Sequence, residues 1–300
     1  MSPHRCGLEH SRQKILSLQA LRALAALSIA ILHITNNGIN LVPSETWMVA
    51  FHNKVSWDIG VDVFFVISGF VIVRSSKQLF GTPGGSVYFI TRRLVRIVPL
   101  YWLMTTLFLG FGILFPKTIN GTMGGALYLL ASYLFIPYAR PDGLMQPALG
   151  LGWTLNYEVF FYAIFAPCLR FSCQKAVFIT TTALVAIVFM PSSNIAVLRY
   201  WANPMVLEFC SGMVLALAAE KIVLSTAGRL SLVFAAIAVI ASIHGALTFP
   251  VRAAIATALV AASTFGRRRS HTPMVERWVA WLGDASYALY LVHPFVMRGT

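Results

Sequence analysis

Apolar segments recur along the whole chain: Ile15–Ile34, Ile59–Val73, Ile97–Phe115, Trp153–Leu169, Ala176–Met190, Asn203–Ala219, Leu230–Leu247, Val251–Phe265 and Trp281–Met297. Each approaches the ~20 residues that a helix needs to cross a bilayer, and the shorter ones draw on flanking Trp, Tyr or Arg. With 58% hydrophobic and 11% charged residues, the 300-residue chain lies outside the range of soluble domains. Trp57, Trp102, Trp153, Trp201, Trp278 and Trp281 stand at or near segment ends, where an interfacial belt places them. The fold class predicted is an all-α polytopic integral membrane protein with no soluble domain and no internal repeat.

Charge sets the orientation. With a cytoplasmic N-terminus and nine crossings, the cytoplasmic side collects most Lys and Arg, from Arg5, Arg12 and Lys14 to Arg267, Arg268, Arg269 and Arg277. The opposite side keeps Lys54, Lys117, Arg140, Arg199 and Arg252, a positive-inside pattern. The net charge of +13 is therefore mostly topology, and nucleic acid is not predicted as a partner. A tenth apolar stretch, Ala126–Tyr138, erases the bias if it crosses, so it is assigned as re-entrant or interfacial. The total is nine to ten helices. Arg22 interrupts the first apolar run, so residues 1–14 are expected to form a cytoplasmic tail ahead of an uncleaved first helix. Cys6, Cys168, Cys173 and Cys210 have no metal-ligand spacing and are expected as free thiols; no metal is predicted.

Ionisable residues inside spans are costly and mark function by default. Arg22 and His33 share one helix face, about 16 Å apart along the axis. Arg93 and Arg96, at i and i+3, stand where the third span begins. His33, Asp62 and Glu158 fall at the opposite ends of their spans. Cations on one side and acid/base groups on the other fit an anionic donor that enters from the cytoplasm. Arginine suits phosphate, coenzyme A has the length to bridge Arg22 and His33, and His33 suits a general base on an acceptor hydroxyl.

Taken singly, each residue has a plainer reading. Arg92, Arg93 and Arg96 serve equally as a topology anchor, His33 as an interfacial hydrogen-bonding residue, and Asp62 as a partner of the second helix dipole. Glu158 follows Trp153, Thr154 and Asn156, as in a solvated helix start. His244 and Arg252 read as ordinary boundary residues. Glu208, well inside an apolar segment, and His293, before Pro294 in the last one, are further candidates.

Five stretches in order, LQALRALAALSIAILHI, GVDVFFVISGFVI, RRLVRIVPLYWL, GWTLNYEVFFY and WLGDASYALYLVHPF, resemble the motifs of the membrane acyltransferase-3 family, in its exopolysaccharide-modifying, ExoZ-like branch. The resemblance runs from about Leu18 to Phe295 and treats residues 15–300 as one membrane acyltransferase domain. It implies a multi-pass enzyme of the bacterial inner membrane. Such an enzyme moves an acyl group, commonly acetyl, from acyl-CoA (acetyl-CoA) as co-substrate to a hydroxyl of exopolysaccharide, lipopolysaccharide or a related glycan. On that basis His33 is the catalytic histidine and Arg22, Arg93 and Arg96 handle the CoA phosphates. Glu158 and Asp62 are assigned to orient the histidine or to bind acceptor hydroxyls. Two features depart from the family pattern: nine crossings rather than about ten, and a chain that stops at Thr300 soon after LVHPF, so that the last helix is expected to be truncated or atypical. A secondary transporter or flippase for a glycan or anionic metabolite would use the same intramembrane groups, although the inverted repeats common in transporters are missing.

Overall fold

The computed structural model describes residues 16–41, 46–54, 56–115, 124–190, 195–243, 247–266 and 274–298. The predicted tail, Cys6, His244 and Arg267 to Arg269 lie outside them. In chain order the α-helices are α1 (Leu16–Leu41), α2 (Thr46–Lys54), α3 (Ile59–Ser75), α4 (Gly85–Leu114), α5 (Ala126–Tyr133), α6 (Trp153–Cys168), α7 (Cys173–Val188), α8 (Ala196–Trp201), α9 (Val206–Ala218), α10 (Thr226–Ser242), α11 (Phe249–Thr264) and α12 (Met274–Arg298). No strand occurs among the described residues beyond an isolated bridge, Ala139 to Met145.

Among the described residues, each of the nine predicted crossings falls mostly on a helix. In a medium without water each backbone N–H must find its partner inside the segment, so helix wins even where β-branched residues crowd together, as in α3. Among the described residues, Leu16–Ile39, Gly85–Leu114 and Ala196–Ala218 are long and apolar enough to cross a membrane. α4 buries Phe89, Ile97, Tyr101 and Thr105 but exposes Leu103, Leu107, Phe111, Ile113 and Leu114. That apolar outer stripe suits lipid contact.

Several boundaries differ from expectation. α1 continues past Ile34 to Leu41, and α4 begins at Gly85, so Arg93 and Arg96 lie in its third and fourth turns instead of at a span entrance. α9 opens at Val206, so Glu208 stands in its first turn, yet it lies midway along the apolar stretch Ala196–Ala218, well inside a span as expected. The stretch Ala126–Tyr138 is helical only through Tyr133. Eight residues rise about 12 Å, too short to cross. Phe135, at φ 59°, then turns the chain away.

The chain divides into two compact units, Met1–Ser75 with Ser211–Tyr287 and Ser76–Cys210 with Ala288–Thr300. In the first, α3 packs against α1 and α11, and α10 against α11. Two glycines permit this closeness. Gly60 meets Ala25 O, Ser28 Oγ and Ile29 of α1, and Gly212 lies against the backbone of Val66 and Phe70. In the second unit α6 packs on α4 and α7. Its core is aromatic: Phe161 stacks on Phe209 at 4.4 Å, and Phe89 meets Tyr162 edge-on at 5.7 Å. The short α5 is pinned to α4, with Tyr101 Oη donating to Ser132 O (3.0 Å) and Trp102 Nε1 to Tyr133 O (2.9 Å). Cys168, Cys173 and Cys210 are free thiols.

Candidate active site

The predicted residues fall into both units, and each unit is described separately. In the first, Arg22 and His33 lie on α1, both half-buried. Taking His33 as zero on the helical wheel, Arg22 stands at about −20°, Ala25 and Ile29 at about −80° and −40°, and Gln19 at about +40°. Ala25 and Ile29 touch Gly60 of α3, and Gln19 touches Gly283 of α12. The Arg22–His33 stripe is thus flanked by α3 on one side and, near its Arg22 end, by α12 on the other.

The opposite face of α1 belongs to α2. Thr35 Oγ1 directs its one proton to the carbonyl of Ile31 (2.9 Å) or Leu32 (3.1 Å), so it accepts from His52 Nδ1 at 2.8 Å. Met48 packs against Gly38, where a Cβ would collide with its thioether.

Asp62 is fully buried in the first turn of α3, as a helix-dipole partner would be. It also meets an unexpected cation. Arg252 of α11 places Nε 3.5 Å from Asp62 Oδ1 and bonds Asp58 through Nη1. Arg252, read from the sequence as an ordinary boundary residue, is instead the tie between the starts of α3 and α11.

The second unit assembles Arg93, Tyr162 and Glu158. α4 and α6 run antiparallel: Ser86 Oγ donates to Ala166 O (2.6 Å), Phe89 faces Tyr162 and Phe165, and the Tyr101 ring lies beside Gly152. That register puts Arg93 level with the second turn of α6. Its guanidinium lies over the rings of Phe89 (5.5 Å) and Tyr162 (5.9 Å). Tyr162 Oη donates to Glu158 Oε1, and the charges of Glu158 and Arg96 act on Arg93.

Arg93 and Glu158 therefore share one level, whereas the sequence reading sorted them to opposite ends of their spans. That sorting rested on α4 beginning at Ile97, and the extra turns from Gly85 carry the arginines inward. The start of α6 is not solvated either. Thr154 and Asn156 are buried, Thr154 Oγ1 lies 2.9 Å from Tyr290 Oη, and Tyr200 Oη donates to Trp153 O (3.1 Å). Arg96 is exposed on α4.

Glu208 is buried beside Phe209 in the first turn of α9. His293 is buried in α12, with Nδ1 3.2 Å from Leu289 O. A carbonyl only accepts, so Nδ1 carries a proton.

Sequence reasoning passed over Tyr162, Arg252 and His52. Tyr162 carried a signal, since it follows Glu158 by one helical turn. Arg252 carried none, because its partners are 190 or more residues away.

Comparison with known proteins bears on the family. The acyltransferase-3 family, described as an acyltransferase domain, matches residues 15–300. The exopolysaccharide production protein ExoZ of Rhizobium meliloti is 32% identical over 257 residues, which cover 79% of this chain and 76% of that protein. The peptidoglycan O-acetyltransferase OatA of Listeria monocytogenes is 24% identical, over 95% of this chain but only 49% of its own length. The acyltransferase MdmB of Streptomyces mycarofaciens is 27% identical over 94% of this chain and 79% of its own. No solved structure matches the chain. Members of the matched family are membrane proteins, and the apolar helices here accord with that. With its family matched over nearly the whole length, this chain belongs to the acyltransferase-3 family and is an acyltransferase.

Proposed function

We propose that this acyltransferase moves an acetyl group from cytoplasmic acyl-CoA to a hydroxyl of an exopolysaccharide or related glycan in the bacterial inner membrane. The relatives' names support the glycan: one belongs to exopolysaccharide production and one is a peptidoglycan O-acetyltransferase. The observation that carries the reading is the α1 stripe, an arginine and a histidine on one face of an apolar helix, about 16 Å apart.

The chain crosses the membrane nine times from a cytoplasmic N-terminus, with residues 126–138 re-entrant. Arg22, Arg93 and Arg96 hold the phosphates of the donor through charge-assisted bonds. His33 takes the proton of the acceptor hydroxyl, whose oxygen attacks the thioester carbonyl. The carbon–sulfur bond breaks, and the thiolate of CoA leaves and takes up a proton. Glu158 acts through Tyr162 to fix Arg93, and Asp62 with Arg252 fixes the start of α3 beside α1.

Membranes carrying the protein are incubated with labelled acetyl-CoA and extracted polysaccharide. Label should enter the glycan as an ester with wild type and not with His33→Ala. Uptake of glycan without ester formation, or transfer from another donor only, sinks the reading.

A further inference from the structure

The helix that carries His33 does not stop at the end of its apolar run. α1 continues through Thr35, Asn36, Asn37, Gly38, Ile39 and Asn40 to Leu41. Thr, Asn and Gly are poor helix formers, and Asn competes for backbone hydrogen bonds. Something outside the segment must keep it helical, and α2 does so through the Thr35–His52 hydrogen bond and the Met48–Gly38 contact.

The clamp occupies one side only. Relative to His33, Thr35 stands at about +200° and Gly38 at about +140°, so α2 covers the far face. Asn36 and Asn37 stand at about −60° and +40°, roughly 5–6 Å beyond His33 along the axis. They extend the Arg22–His33 stripe by one turn. Asn36 is exposed and Asn37 half-buried.

An asparagine amide offers two donors and an acceptor in one plane, which complements neighbouring sugar hydroxyls that donate and accept. We infer that Asn36 and Asn37 form the acceptor subsite, binding hydroxyls next to the one that His33 deprotonates. The inference rests on the glycan-acetylating reading above.

The test uses the full chain in membranes, with acetyl-CoA fixed and saturating and an oligosaccharide fragment of the acceptor glycan varied. Asn36→Ala and Asn37→Ala should each raise the acceptor KM about 3- to 10-fold, with a smaller change in kcat; the double variant should raise it further. Alanine favours helix more than asparagine does, so the substitutions do not weaken α1. An unchanged acceptor KM in the double variant overturns the subsite. So does an equal rise in the acetyl-CoA KM, or a fall in kcat alone, since either marks a structural role. Absence of ester in the wild type falls on the proposed function instead.

Discussion

Gly212→Ala tests the packing that gives the first unit its shape. A Cβ at Gly212 would lie 2.8 Å from Phe70 N and 2.9 Å from Val66 C, and would collide with Val66 O. Ordinary contacts begin near 3.4 Å. All three atoms are backbone, so no rotamer change relieves the overlap and α3 and α9 must separate. Overpacking of this kind costs about 1–3 kcal/mol, while Ala exceeds Gly in helix propensity by about 1 kcal/mol.

Gly110→Ala supplies the control, because nothing lies within 4 Å of its added Cβ. The propensity gain is common to both variants, so their difference isolates the crowding at about 1–3 kcal/mol. At roughly 2–4 °C per kcal/mol for a chain of this order, Gly212→Ala should melt about 2–12 °C below Gly110→Ala. Thermal unfolding in detergent, followed by size-exclusion recovery, measures it. A Gly212→Ala midpoint equal to or above that of Gly110→Ala refutes the close packing of α3 and α9.

Three further outcomes are expected. Arg252→Ala should lower the melting midpoint, since it removes a cation beside the buried Asp62. Adding Asp62→Asn should restore part of that loss, and a double variant no more stable than Arg252→Ala would contradict the pairing. Tyr162→Phe should raise the acetyl-CoA KM several-fold with little change in melting, as Glu158 loses its charge-assisted bond; unchanged donor kinetics would remove Tyr162 from the site. Gly152→Ala should destabilise by about 1–3 kcal/mol, because its Cβ would lie 2.6 Å from the ring of the fully buried Tyr101, and a wild-type midpoint would refute that contact.

Much of this arrangement could be read from the residues alone. Apolar length located the helices, and the ten residues between Arg22 and His33 set their common face whatever the helix ends turned out to be. Boundaries were less legible, because hydropathy marks lipid contact rather than helix ends. Ser86 to Arg96 is polar enough to read as loop, yet it is helical because Phe89 and Ser86 dock on α6. Thr35 to Asn40 lies beyond the apolar run and stays helical because α2 grips it. The pairing of Arg252 with Asp58 and Asp62 depends on the register of two helices distant in sequence, which no local pattern carries. The sharing of one level by Arg93 and Glu158 depends likewise on the antiparallel fit of α4 to α6.

The most direct test reconstitutes the full chain in liposomes with acetyl-CoA and acceptor glycan, and counts free CoA thiol and glycan acetyl ester in one sample. The wild type should release one thiol per ester formed, Arg22→Ala should need more acetyl-CoA for the same rate, and His33→Ala should form no ester. Ester formation by His33→Ala at the wild-type rate would contradict the account at its centre.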